Sequence, residues 1–160
     1  YLALVTDVYS KKIMGYSLQN NMRVEMVKSA LEMALKNRSF NHKSIIHHSD
    51  RGIQYCCPDF TNYAESNGMV LSTTQQYDPY ENAVAERVNG ILKAEFGFGK
   101  TLPSLKVAQK MVKQAVEIYN NERPHFSLNL AKPSQAHIAQ IHHYKSYSKE
   151  KVKTSMMQEC

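Results

Sequence analysis

Three observations predict an α/β domain with a helical extension behind it. Short aliphatic runs alternate with segments of helical periodicity through the first half. The second half is helical in pattern as far as about residue 139. At 160 residues and 42% hydrophobic content the chain can bury one core, so one domain is expected.

Residues 2–8 and 13–18 read as two strands, joined by a short polar turn around Tyr9, Ser10, Lys11 and Lys12. Asn20 or Asn21 is placed to cap a helix running to about Asn37, with Val27, Ala30, Leu31, Ala34 and Leu35 as its apolar stripe. Residues 44–48 read as a strand ending at Ser49-Asp50-Arg51-Gly52, where Gly52 is expected to permit a sharp turn. Pro58 starts a helix that Gly68 stops, residues 69–73 form another strand, and residues 75–81 form a polar loop. Further helices are expected at about 83–96, 105–119 and 133–141. The core then spans residues 1–139. Residues 140–160, with Lys145, Lys149, Lys151 and Lys153 and no apolar periodicity, read as a basic tail.

The net charge is +6, and all of the excess is in the second half. Residues 1–86 carry eight basic and nine acidic side chains, and residues 87–160 twelve basic and five acidic. That asymmetry suits a polyanionic partner on one surface, although a solvated basic tail accounts for part of it. Lys106, Lys110 and Lys113 lie on one helix face, where solvation is the default reading. The three cysteines, Cys56, Cys57 and Cys160, imply no disulfide framework and fit a reducing cytosol. No apolar run reaches membrane length, so no membrane partner is expected. Tyr1 opens directly onto a strand pattern, as in a fragment of a longer protein.

The residues able to carry chemistry are two carboxylates and a lysine. Asp50 falls at the end of a strand, where open α/β sheets place ligands. Glu86 falls in the first turn of a helix, thirty-five residues beyond Asp50. Lys93 lies seven residues after Glu86, nearly two turns and about 10 Å along the same helix face. A carboxylate suited to a metal and a lysine suited to a phosphate then share one exposed line, opposite the stripe of Val84, Val88, Ile91 and Leu92. Taken singly, Asp50 reads as a turn residue and Glu86 as a group serving the helix dipole. Their spacing together with Lys93 favours a site.

Two other patterns carry less. His47 and His48 lie near Cys56 and Cys57, but adjacent strand residues point to opposite sides and the spacing fits no ordinary zinc motif. Gly97-Phe98-Gly99-Lys100-Thr101 lacks the full phosphate-loop pattern and follows a helix, so it reads as a linker. Met26, Met33 and Met111 read as core filler.

His48-Ser49-Asp50-Arg51-Gly52-Ile53-Gln54-Tyr55 resembles the segment around the second catalytic aspartate of insertion-sequence transposases. The run from Asn82 to Lys93 resembles their glutamate helix, and the gap of thirty-five matches the D,D(35)E pattern they share with retroviral integrases. Tyr119-Asn120-Asn121-Glu122-Arg123-Pro124-His125, with Leu128 and Pro133, is similar to their C-terminal signature, and residues 1–10 resemble the second strand of the same core. Glu81 stands where the family commonly has Asp.

The resemblance implies a ribonuclease-H-like mixed sheet flanked by helices. It implies a DNA-strand-transfer enzyme of bacterial cytoplasm, associated with the nucleoid, that works on double-stranded DNA (element ends and target) as a homo-oligomer. It implies Asp50 and Glu86 as catalytic ligands of Mg²⁺ or Mn²⁺, and Lys93, Arg87, Arg123 and His125 as DNA-binding residues. Arg123-Pro124 reads equally well as a helix stop. The family's first catalytic aspartate lies on a central strand upstream of the one at Tyr1, and Asp7 matches a different family position. The strands at 2–8 and 44–48 are therefore expected to expose unpaired edges, and the residues present to be inactive alone. A non-catalytic remnant that binds DNA or full-length transposase is the rival reading. A structure-selective nuclease on the same fold is disfavoured by the Arg-Pro-His segment.

Overall fold

Strands β1 (Leu2–Thr6) and β2 (Ile13–Leu18) pair antiparallel from Leu2↔Leu18 to Thr6↔Ile13, with an irregularity between Val5 and Thr6. The computed structural model describes residues 1–38, 45–74 and 82–139. The expected loop at 75–81, the basic tail at 140–160, and the expected start of a strand at Ser44 lie outside the described residues. So do the last two residues, 140 and 141, of the expected final helix.

The hairpin is the middle layer of a three-layer stack, and strand alternation builds it. Ala3 and Val5 face a first core with Met26, Val27, Ala30 and Leu31 of α1 (Val24–Lys36). Phe60 and Ala64 of α3 (Pro58–Ser66) and Met69 of β4 (Met69–Thr73) complete that core. Leu2 and Leu4 face the other way, onto a second core with Val88, Ile91 and Leu92 of α4 (Ala83–Glu95). Val112, Ala115, Val116 and Tyr119 of α5 (Leu105–Asn121) close the second core. The expected stripes of α1 and α4 are buried except for Leu35 and Val84, which are half-buried, and Lys106, Lys110 and Lys113 on α5 are exposed.

β3 (Ile45–Ser49) pairs in parallel with β4, from Ile45↔Met69 to Ser49↔Thr73. Among the described residues the two ladders do not join: each is a separate two-stranded sheet, so each of the four strands is bonded on one side only. The edges expected to be open on β1 and β3 are among these four.

α1 closes tightly on β2 at Gly15, where a Cβ would stand 2.0 Å from the Ala30 carbonyl oxygen and 2.6 Å from the Ala34 nitrogen. At its far end α5 is tied to the hairpin. Asn120, nearly buried, accepts from the Ile13 N–H and donates to the Ile13 carbonyl, both at 2.9 Å, and the Tyr119 hydroxyl donates to the Lys11 carbonyl at 2.9 Å.

Four local expectations are corrected. The N-cap of α1 is Arg23, with no side-chain cap bond, rather than Asn20 or Asn21. β1 stops at Thr6, because the Asp7 carboxylate accepts the Tyr9 and Ser10 N–H groups and folds the chain into a turn. Gly52 has φ −56°, open to any residue, so it is glycine for another reason given below. Two short elements have no periodicity long enough to read: α2 (Ile53–Cys56) and a 3₁₀ turn, Phe126–Leu128. The last helix, α6 (Pro133–Ala139), starts at the expected proline.

Candidate functional site

Asp50 follows the last residue of β3 directly and is exposed. Its Oδ1 accepts the Gly52 N–H at 2.9 Å, closing a turn at the end of the strand. A Cβ on Gly52 would lie 2.9 Å from that same oxygen and 2.8 Å from Gln54 Nε2. Space for the aspartate, rather than backbone freedom, explains this glycine. Arg51 donates from Nε to the Thr74 carbonyl at 2.7 Å, tying the Asp50 turn to the end of β4.

Glu86 lies in the first turn of α4 and is exposed, as are Arg87 and Lys93. Val88, Ile91 and Leu92 anchor the opposite face, each 2% exposed or less. The apolar stripe thus fixes the line of Glu86 and Lys93 toward solvent, as the heptad spacing predicts. Asn82 caps α4 without a side-chain hydrogen bond of its own.

The Arg-Pro-His segment divides its residues between two tasks. Arg123 donates from Nε and Nη2 to the two oxygens of Glu95, both at 2.6 Å, and from Nη1 to the Pro124 carbonyl at 3.2 Å. This fork locks the end of α5 to the end of α4. The Arg123 hydrogen bonds, opposed by a little burial, hold the Glu95 carboxyl below its ordinary value. His125 is 7% exposed, its ring edge-on to Tyr119 at 5.2 Å, and its buried Nε2 has no partner. Burial first, then Arg123, Lys11 and Arg87, push its pKa below the usual value.

Asp7 heads a second cluster. Its Oδ2 accepts from the Ser10 hydroxyl at 2.5 Å and lies 3.2 Å from Nδ1 of His137 on α6. Burial raises its pKa, but the Ser10 hydroxyl, His137 and the Ser10 and Tyr9 amides outweigh that and leave it lowered. Asp7 is therefore bound into its own turn. Among the described residues no group of three or more His, Cys, Asp or Glu is arranged to hold a metal.

The structure brings Arg87 and His125 to one cleft, keeps Lys93 on the exposed line with Glu86, and ties Arg123 to Glu95. Sequence reasoning missed Glu95 and Lys11 as partners of these residues. Nothing in local spacing pairs Glu95 with Arg123, twenty-eight residues away.

The hairpin between two helical layers, with Asp50 at a strand end and Glu86 in the first turn of a helix, is the frame that positions the candidate residues. Two family models described as integrase core domain match the chain, over residues 67–133 and 1–79. The chain belongs to the integrase core domain family. The transposase for insertion sequence element IS629 of Shigella sonnei is 32% identical over 136 residues, covering 85% of this chain and 45% of that protein. A putative transposase for IS986/IS6110 of Mycobacterium tuberculosis is 33% identical over 128 residues, covering 77% and 46%. The chain thus spans under half the length of these relatives, which are insertion-sequence transposases. The catalytic core domain of BIV integrase superposes with a TM-score of 0.66 at 15% identity, covering 88% of this chain and 87% of that one. The HTLV-2 integrase core in complex with magnesium gives 0.62 at 18%, covering 82% and 80%. These two likenesses establish the ribonuclease-H-like fold. No helix among the described residues is long and apolar enough to cross a membrane.

Proposed function

We propose that this chain is the catalytic part of a DNA transposase, a polynucleotidyl transferase in which Asp50 and Glu86 are metal ligands. The observation that carries the reading is their placement: an exposed carboxylate at a strand end and another in the first turn of a helix whose buried face holds Lys93 on the same outer line. Both are hard oxygen donors of the kind Mg²⁺ or Mn²⁺ takes, and Mg²⁺ is content with few carboxylates and several waters. They fit such an ion in kind. Bound there, it would supply Lewis acidity at a DNA phosphate and lower the pKa of an attacking water or 3′-hydroxyl.

The chain's own residues bind and orient. Lys93 holds a strand's phosphate beside Glu86, the Asp50 turn presents its carboxylate, and the Arg123–Glu95 fork fixes the end of α4. Arg123 then acts on DNA binding through α4 rather than by contact. Double-stranded DNA, as element ends and target, is the proposed substrate, and the active assembly is a homo-oligomer.

Two carboxylates are one fewer than the reaction's ligand set, and Asp7 is committed to Ser10 and His137. These 160 residues alone are therefore proposed to be inactive. A strand carrying the third carboxylate is proposed to pair with β1 and β3, whose ladders are one-sided among the described residues. Those one-sided ladders also favour the second reading, a non-catalytic remnant that binds DNA or full-length transposase.

The deciding experiment is Mg²⁺-dependent cleavage of element-end DNA, by these residues alone and by a protein that includes an upstream strand bearing an aspartate. Activity only in the longer protein, abolished by Asp50→Asn and by Glu86→Gln, is the expected result. Cleavage that survives both substitutions would sink the assignment, and inactivity of both proteins would favour the remnant.

A further inference from the structure

A cleft of about 200 Å³ lies between the start of α4, the β1–β2 turn and the 3₁₀ segment, lined by Lys11, Ala83, Val84, Arg87, Val88, His125 and Ser127. That is several times the ~30 Å³ a water occupies in the liquid. Its floor is apolar (Ala83, Val84, Val88), and its polar groups come from three separate elements. Lys11 and Arg87 are cations, Ser127 is a hydroxyl, and the buried Nε2 of His125 has no hydrogen-bond partner among the described residues. Among the described residues no acid lines it. The acids that act on Lys11 and His125 are engaged elsewhere: Asp7 by Ser10 and His137, and Glu95 by Arg123. Ala83 and Val84 are also the first two residues of α4, whose N-cap makes no side-chain bond, so the positive end of the helix dipole opens on the same space.

We propose that this cleft seats one phosphate group of a bound DNA strand, gripped by Lys11, Arg87 and His125 at the N-terminus of α4. The inference rests on the DNA reading above and adds to it a defined subsite with Lys11 as a binding residue. Tetrahedral phosphate suits donors that converge from three elements, whereas a planar carboxylate is matched by a single fork. Burial lowers the Lys11 pKa although Asp7 raises it, and burial with neighbouring cations lowers that of His125. The Lys11 shift describes a partly dry site, and the His125 shift one that is also positive, which an anion relieves. Arg87 adjoins Glu86 in sequence, but successive helix residues do not share a face; the cleft opens on the Val84–Val88 side of α4, so the seated phosphate is a different one from that assigned to the Glu86–Lys93 line.

The test is duplex-DNA binding by the 160-residue chain, read by fluorescence anisotropy across a salt series. Lys11→Asn is chosen because Lys11 has φ 61°, which asparagine tolerates. The slope of log K against log salt counts phosphates, roughly 0.9 for each. Lys11→Asn and Arg87→Gln together should therefore lower the slope by about one, not two, while adding Lys93→Gln lowers it by about one more. A variant-free readout accompanies it: Lys11 should lose reactivity toward an acetylating reagent, by mass spectrometry, when DNA is bound. DNA binding with an unchanged slope and unchanged Lys11 reactivity overturns the subsite and leaves the DNA reading standing. If the chain binds no DNA at low salt, inorganic phosphate is titrated against the His125 ring resonances. A saturable shift lost in the double variant would show a free-phosphate site and overturn the DNA source, and no shift overturns the cleft as an anion site.

Discussion

Gly52→Ala separates the placing of Asp50 from the stability of the fold. The new Cβ would stand 2.9 Å from Asp50 Oδ1, 2.8 Å from Gln54 Nε2 and 3.1 Å from Gln54 Cδ. All three are side-chain atoms near a surface, and φ of −56° suits alanine, so the backbone need not move. Relief to ordinary contact near 3.4 Å requires the carboxylate oxygen to swing by at least half an ångström, which also weakens its bond to the Gly52 N–H. That bond is exposed, so the folding cost is expected to stay under about 1 kcal/mol. Catalytic geometry is less forgiving: a misplacement of 1 Å costs on the order of 10²-fold, so half that distance should cost about tenfold in cleavage. The assay is Mg²⁺-dependent cleavage of element-end DNA by the protein that includes the upstream strand, beside a urea titration followed by circular dichroism. Undiminished cleavage would refute the argument that Gly52 makes room for Asp50. A large drop in the urea midpoint would show instead that the glycine serves the fold.

Gly15→Ala should behave oppositely, because its Cβ meets the backbone of α1 at 2.0 Å; a loss of at least the ~1–3 kcal/mol typical of overpacking is expected in urea unfolding, and a neutral result would contradict the packing described. Arg123→Lys should cost about 1 kcal/mol, discounted for partial exposure, and a cycle with Glu95→Gln should show that the two losses are not additive. Burial lowers the pKa of His47, opposed by a backbone hydrogen bond and aided by His48, so the folded state takes up this proton later than the unfolded chain does. Its stabilisation is therefore present above the unfolded pKa of about 6.5 and is lost as pH falls below that value toward the lower folded one; His47→Phe should flatten the stability profile below about pH 6.5. Asp7, also lowered, contributes stability above its unfolded pKa of about 4 and loses it below, so Asp7→Asn should reduce acid sensitivity only under pH 4 in the same titration.

The sequence by itself determined the elements and the candidate chemistry. β2, β4 and the starts of α3, α4 and α5 fall where alternation, a proline or an apolar stripe puts them, because those signals are local and the burial they record is one-sided. Asp50 and Glu86 were legible for the same reason: strand end, helix start and the spacing of Lys93 are fixed within one or two elements. Only the tertiary structure decided what pairs across the chain. Arg123 with Glu95, Asp7 with His137, and Lys11 with Arg87 and His125 join residues whose separation in sequence carries no periodic signal. The reason for glycine at position 52 was equally hidden, since a position emptied for a neighbour and a position bent for a turn look alike as a letter. The sheet was decided at the same level: a strand's pattern says that it pairs, but hydrogen bonds to the next strand depend on which backbone lies beside it, and among the described residues the four strands form two separate pairs.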